Sequence, residues 1–428
     1  MAQRGAGDVA PSRNVSRITR IVTKVTSPAG AAMLLAIAVC ARLAWVLLTP
    51  NGMNLVDLHV YVDCSAALLS GDLYDCTYAD QTPEFPLPFT YPPFAALVFF
   101  PLHYLPFGFI GIAWLLLTIA ALYKVVDISL DLVVSDVDPA RRRAWAMLWT
   151  AGGMWLEPMR TTLDYGQVNV FLVLGAIVAV RSTRWWVSGF LLGFIAGIKL
   201  TPAIAGLYFV ARRRWATVVA SAAVFALTVG LSYLAIGGQA HKYFGTLLGD
   251  ADRIGPVGSV TNQSLRGTLS RLLGHDVETG TLWFAAVAIA VVLAVLAWRA
   301  LAPDDLLGTL LVVQMLGLLI SPISWAHHWV WLIPLLIWLF HGPYRNLAGA
   351  RVLAWFWLLV TAVGVPWVLG FAQGDVWEFS RSGLISWLST AYVAGALATF
   401  VWIIERGWRE AGATPADRPS VQATRRDR

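Results

Sequence analysis

The chain has 428 residues, 58% of them hydrophobic and 13% charged, with a mean hydropathy of +0.65. Soluble domains carry roughly a quarter charged residues, so this composition excludes an ordinary soluble globular domain and predicts an all-α polytopic membrane protein. The formal charge of +6 includes two basic tails (Arg4, Arg13, Arg17, Arg20 and Lys24; Arg406, Arg409, Arg418, Arg425, Arg426 and Arg428), which positive-inside topology explains without a nucleic-acid partner. The 21 Trp suit a protein with two water–lipid interfaces.

Residues 1–29 are expected to form a cytoplasmic basic tail. The first apolar stretch starts near Gly30, runs for about 20 residues and lacks a cleavage site, so it reads as an anchor leading outward over 30–49. Arg42 falls near its outer end, costly there unless it snorkels to water or pairs, an acid of the loop being one partner the sequence allows without choosing which. Residues 50–91 then hold six acids (Asp57, Asp63, Asp72, Asp75, Asp80, Glu84) and no Lys or Arg. The apolar run 92–104 is short and bounded by prolines, which suggests a juxtamembrane or re-entrant helix.

A crossing at 107–128 returns inside, where Arg141, Arg142 and Arg143 mark the cytoplasm. Four short crossings are expected at 144–160, 168–180, 185–199 and 202–211, then a longer one at 215–236 and an outer loop at 237–279. The remainder fall at 280–299, 305–322, 328–341, 349–370 and 384–404. Arginines mark each inner turn (Arg181/Arg184, Arg212–Arg214, Arg299, Arg345/Arg351), giving about 12 transmembrane helices with both termini inside. Residues 30–405 form one transmembrane domain, and 406–428 read as a disordered cytoplasmic tail.

With this topology the polar motifs gather at one membrane rim. Asp57 is a candidate general base, or the N-cap of the short helix that follows. His59 either orients that carboxylate or fills the interface. Tyr61 and Glu84 belong to the same loop, and Gln167 and Asn169 to the next. Lys199 either binds a lipid phosphate or snorkels to water. Arg266 either binds phosphate or sugar or is a solvated loop residue, and Asn262 stands just before it. Trp325 precedes His327 and His328, one of which is expected to hydrogen-bond a phosphate or sugar. Adjacent residues on a helix diverge by about 100°, unlike paired zinc ligands, so no metal site is expected. Cys64 and Cys76 lie in the acidic outer loop, where a disulfide and two free thiols are both open.

The runs Asn51-Gly52-Met53-Asn54, Asp57-Leu58-His59-Val60-Tyr61, Leu73-Tyr74-Asp75, Tyr78-Ala79-Asp80-Gln81-Thr82-Pro83 and Phe85-Pro86-Leu87-Pro88-Phe89-Thr90-Tyr91-Pro92-Pro93-Phe94 carry a resemblance. They resemble the mycobacterial polyprenol-phosphate-mannose-dependent α-(1→2)-mannosyltransferases of phosphatidylinositol mannoside synthesis. The broader group is the actinobacterial GT-C glycosyltransferases, to which Gly166-Gln167-Val168-Asn169, Lys199-Leu200-Thr201-Pro202, Asn262-Gln263-Ser264 and Ser321-Pro322-Ile323-Ser324-Trp325 are also similar. The resemblance covers about 30–405 and is most specific in the first loop.

It implies a GT-C fold in the plasma membrane, a periplasmic active site, a polyprenyl-phosphate-mannose donor, a phosphatidylinositol mannoside acceptor and no cofactor. A catalytic aspartate of the first outer loop falls on Asp57, and a late functional histidine on His327 or His328. Lys199, Arg266 and these histidines would hold the donor phosphate. His59, Tyr61, Glu84, Gln167, Asn169, Asn262 and Trp325 would line the sugar sites. An α-linked product from a β-linked donor requires a single inverting displacement with one base and no enzyme nucleophile, unlike retaining hydrolases with their second carboxylate. The expected acceptor is the terminal mannose of a tetramannoside. α-(1→2) branching of lipomannan is the sister activity, and a flippase or secondary transporter the rival class.

Overall fold

The computed structural model describes residues 24–49, 54–83, 85–134 and 136–412. Helix α1 (Pro28–Leu48) opens with Pro28 in its first turn and the Ser27 hydroxyl accepting from Gly30 N–H at 3.1 Å, a combination that supplies orphan N-terminal donors. The acidic loop contributes α2 (Val56–Ala66) and a two-residue ribbon, β1 (Thr77–Tyr78) against β2 (Leu87–Pro88), with Thr77 opposite Pro88 and Tyr78 opposite Leu87. A Cys64–Cys76 disulfide joins the end of α2 to the ribbon, deciding the question the sequence leaves open. The proline-bounded run forms α3 (Pro93–Phe99) and a 3-10 turn, Phe100–Tyr104, as expected.

Next come α4 (Phe107–Val133), α5 (Pro139–Gly153), α6 (Glu157–Tyr165), α7 (Asn169–Arg181), α8 (Trp185–Ile198), the turn Thr201–Ala205, α9 (Gly206–Ala211) and α10 (Trp215–Lys242). The second half holds α11 (Leu265–Leu273), α12 (Thr281–Ala300), α13 (Leu306–Ile320), the turn Ala326–Trp331, α14 (Leu332–His341), α15 (Ala348–Val363), α16 (Val365–Gly370), α17 (Gly383–Leu388) and α18 (Ala391–Gly412). Apolar faces pair α1 with α5, α4 with α7 and α14, α8 with α10, and α12 with α18.

Among the described residues, five helical stretches are long and apolar enough to cross a membrane: Pro28–Leu48, Phe107–Val133, Trp215–Leu247, Thr281–Ala300 and Ala348–Gly370. This multi-pass arrangement agrees with the sequence, but the short crossings expected at 144–211 have a different form. Gly166, at φ +69°, ends α6, and α7 departs at 119° to it, so this pair is a bent sixth candidate. Only 11% of the most apolar window of Trp215–Leu247 is buried in protein, which leaves lipid as the solvent of its remaining surface.

The α8–α10 contact has no slack. Gly189, Gly193 and Gly197 form a stripe at every fourth residue, facing Ala220, Ser221 and Thr228. A Cβ on Gly193 would lie 2.5 Å from the Ser221 carbonyl oxygen, and one on Gly197 would lie 2.6 Å from Thr228 Oγ1. Small residues let apolar helices approach backbone to backbone where no hydrophobic force draws them together. The stripe ends two residues before Lys199, whose position it therefore fixes.

Candidate functional site

The acidic loop delivers its carboxylate through a constrained start. Val56 N–H donates to Asn54 Oδ1 at 3.1 Å, and Leu55 adopts a left-handed conformation (φ 42°) before α2 begins. Asp57 is therefore not the N-cap. It sits in the first turn, where a negative charge is favoured by the helix dipole. Tyr61 follows one turn later on the same face.

Gln167, presented just after the bend between α6 and α7, organises the cluster. Its Oε1 accepts from the hydroxyls of Tyr61 (3.1 Å) and Tyr91 (3.2 Å), which also bond each other at 2.6 Å. With Oε1 so engaged, its amide N–H is free to donate to the Asp57 carboxylate. Asp57 is partly buried. Desolvation pushes its carboxyl up to about 6, against the opposing effects of the Gln167 hydrogen bond and the Lys199 charge. A base poised there is ionised at neutral pH yet retains appreciable proton affinity.

Beside this carboxylate Lys199 Nζ donates to Asn169 Oδ1 at 2.9 Å and to Tyr91 Oη at 3.4 Å, and lies 3.3 Å from His328 Nε2. A charged Lys199 donates to that nitrogen, which puts the imidazole proton on Nδ1. His327 is differently placed. Its carbonyl accepts from Asn169 Nδ2 (2.9 Å) and Thr162 Oγ1 (3.2 Å), and its buried ring packs edge-on against Tyr165. Asn169 and His328 also line an open cleft with largely apolar walls, including Leu172, Ile204, Leu318 and Val330.

The structure thus brings Asp57, Tyr61, Gln167, Asn169, Lys199 and His328 together. It places the other expected residues elsewhere. His59, about 200° around α2 from Asp57, bonds Asp63 at 2.9 Å and is stacked between Tyr78 and Phe107. Arg266 is held by Asp276 (2.7 Å) and Asp252 (3.1 Å). Asn262 is fully buried: its Nδ2 donates to Val257 O at 3.0 Å and its Oδ1 accepts from Ser324 N–H at 2.9 Å. Trp325 bridges to the Asn262 backbone and packs over Gly255. Glu84 lies outside the described residues. Among the described residues no three His, Cys, Asp or Glu side chains are grouped as metal ligands.

Two residues of this region were not singled out from the sequence. Tyr91 gives no local signal beyond an aromatic before Pro92-Pro93. Gln314, whose buried Nε2 has no hydrogen-bond partner, lines the cleft. A lone amide inside the apolar run of α13 was its available signal.

The family model described as glycosyltransferase family 87 matches residues 89–322. A polyprenol-phosphate-mannose-dependent alpha-(1-2)-phosphatidylinositol pentamannoside mannosyltransferase of Mycolicibacterium smegmatis is 58% identical over 375 residues, 87% of this chain and 90% of the relative. The chain belongs to glycosyltransferase family 87. Its similarity extends to the protein of the same name from Mycobacterium tuberculosis (54% identity over 89% of both chains). A phosphatidylinositol mannoside mannosyltransferase of that organism is 34% identical over 69% of this chain and 73% of its own length. No solved structure matches the chain. Within this glycosyltransferase, the family match contains Tyr91, Gln167, Asn169 and Lys199, while Asp57 and His328 flank it.

Proposed function

We propose that this glycosyltransferase moves mannose from polyprenyl-phosphate-mannose to the terminal mannose of a phosphatidylinositol tetramannoside, forming an α-(1→2) link and a pentamannoside. The names of its 58% and 54% identical relatives support the donor, the linkage and the lipid class. The observation that carries the mechanism is one half-buried carboxylate, Asp57, beside one cation, Lys199, at the junction of α2, α7 and α8.

In this reading transfer is a single inverting displacement. The acceptor hydroxyl oxygen forms a bond to the mannose anomeric carbon as the bond from that carbon to the phosphate oxygen breaks. Asp57 takes the hydroxyl proton, and polyprenyl phosphate leaves with the bonding pair. Lys199 and His328 stabilise the phosphate with fixed charge and a hydrogen bond, so the step we propose uses no metal. Tyr61, Tyr91, Gln167 and Asn169 hold the base and the cation in register. Arg266 is left out of this scheme because two carboxylates already engage its guanidinium.

We further propose a GT-C fold of about 12 crossings within a single domain over 30–405, in the plasma membrane. The active site would face the periplasm and both termini the cytoplasm. The Cys64–Cys76 disulfide supports this orientation, since it sits on the helix that bears Asp57 and such bonds persist in oxidising compartments. Incubating membranes that contain the protein with labelled polyprenyl-phosphate-mannose and the tetramannoside lipid tests the assignment. Label in a pentamannoside, released by an α-(1→2)-specific mannosidase, is expected. Label appearing only in lipomannan overturns the acceptor.

A further inference from the structure

Residues 164–169 join the two bent helices and meet the site at several points. The Asp164 carbonyl accepts from Leu55 N–H at 2.8 Å. Gly166 lies so close to α2 that a Cβ there would stand 2.6 Å from Leu58 Cβ. Gln167 bonds Asp57, and Asn169 receives Lys199. Wherever this segment sits, the base and the cation sit with it.

The segment is tied to the membrane domain by a charge. The Asp164 carboxylate is paired with Arg42, which is fully buried inside the first span. Arg42 Nη2 also donates to the Arg160 carbonyl at 3.3 Å, and the guanidinium faces the Trp155 ring at 6.0 Å. Its Nε and Nη1 have no hydrogen-bond partner. An ionisable group in an apolar span is costly, and apolar side chains of similar volume often replace a buried ion pair with no loss of stability. Stability alone therefore explains this arginine poorly. Geometry explains it better, because the same segment holds Leu55 in its left-handed conformation immediately before the catalytic helix.

We propose that Arg42 and Asp164 are positioning residues for the transfer reaction, setting the height of segment 164–169 and thereby aiming Asp57, through Leu55 and Gln167, at the acceptor hydroxyl. This rests on Asp57 being the base. The groups facing Asp57 are Tyr61 on its own helix, Tyr91, Tyr165 and Lys199, with Gln167 as its hydrogen-bond donor. Withdrawing the Gln167 donor disfavours the carboxylate, so a displaced segment moves the acid limb of the rate profile to higher pH.

The test compares steady-state kinetics of the full-length enzyme in proteoliposomes for Asp164→Asn, Arg42→Lys and the apolar pair Arg42→Met with Asp164→Leu. A misplacement near 1 Å costs about 100-fold, so Asp164→Asn and the apolar pair are expected to lower kcat by about 10- to 100-fold. Both KM values should hold and the acid limb should rise, with Arg42→Lys recovering part of the loss. Should the apolar pair fail to insert, Asp164→Asn, nearly isosteric, gives the same two readouts. Wild-type kcat and limb in the apolar pair, a loss confined to KM, or a kcat loss with the limb in place overturns the positioning role. Asp57→Asn distinguishes the underlying reading: normal transfer by that variant removes the base itself, whereas an inactive Asp57→Asn beside a wild-type-like apolar pair removes only the positioning role.

Discussion

Two polar regions of this molecule use the same residue types in opposite ways. Around Asn262 and Arg271 each polar group is consumed by the protein itself. Arg271, also buried, donates to Ser259 O (2.6 Å), Asn262 O (2.8 Å) and Ser389 Oγ (2.7 Å), and Gln263 Nε2 donates to Val260 O and Ser389 O. Around Asp57 and Lys199 the side chains bond one another, but Asp57, Lys199 and His328 stay only partly buried. Saturation marks the first region as frame, joining residues 257–264 and α11 to 322–326 and to Ser389. Partial exposure near a cleft fits the second to the proposed role, in which a ligand completes the bonding.

Substitutions can break or sharpen this contrast. The largest effect is expected for Asp57→Asn, which removes the proposed base, a group worth on the order of 100- to 10,000-fold, while leaving folding and lipid binding intact, as read by transfer rate and thermal unfolding. Lys199→Met should lower kcat by roughly 100- to 1,000-fold, the scale of losing one preorganised electrostatic donor, in a single-turnover assay with labelled donor. The pH profile comes next. Asp57 must be ionised to accept a proton and its carboxyl titrates at about 6, so the rate should level off above that pH and fall about tenfold per unit below it. The smallest effect on turnover belongs to the frame. Asn262→Ala should destabilise by about 1–3 kcal/mol by orphaning buried donors and acceptors, with activity per folded molecule unchanged. A selective loss of activity there would erase the distinction between the regions.

Much of this was legible from residue order. A carboxylate beyond the first span, a lysine before Thr201-Pro202 and an arginine inside an apolar run are local signals that survive folding. Partner choice was less visible because it is set by backbone direction. The bend at Gly166 presents Gln167 to Asp57, while Asp164, in the last turn of α6 before it, meets Arg42. Period decided His59, which a helix places on the far side of Asp57, whereas Arg266 pairs with Asp276 beyond the left-handed Gly274 that ends α11. The form of the four short crossings expected at 144–211 was less visible for a related reason. Apolar content there resembles that of spans, but Pro158 and Gly166 break its first part and no helix that begins between 139 and 211 exceeds 15 residues, less than a straight crossing needs.

The glycine stripe of α8 has a further consequence for traffic through the molecule. Two helices that meet backbone to backbone leave no gate through which a long isoprenoid tail could slide sideways from the bilayer. On the transfer reading proposed above, a carrier lipid is therefore expected not to pass between α8 and α10, and the cleft lined by α7 and α13 offers another opening.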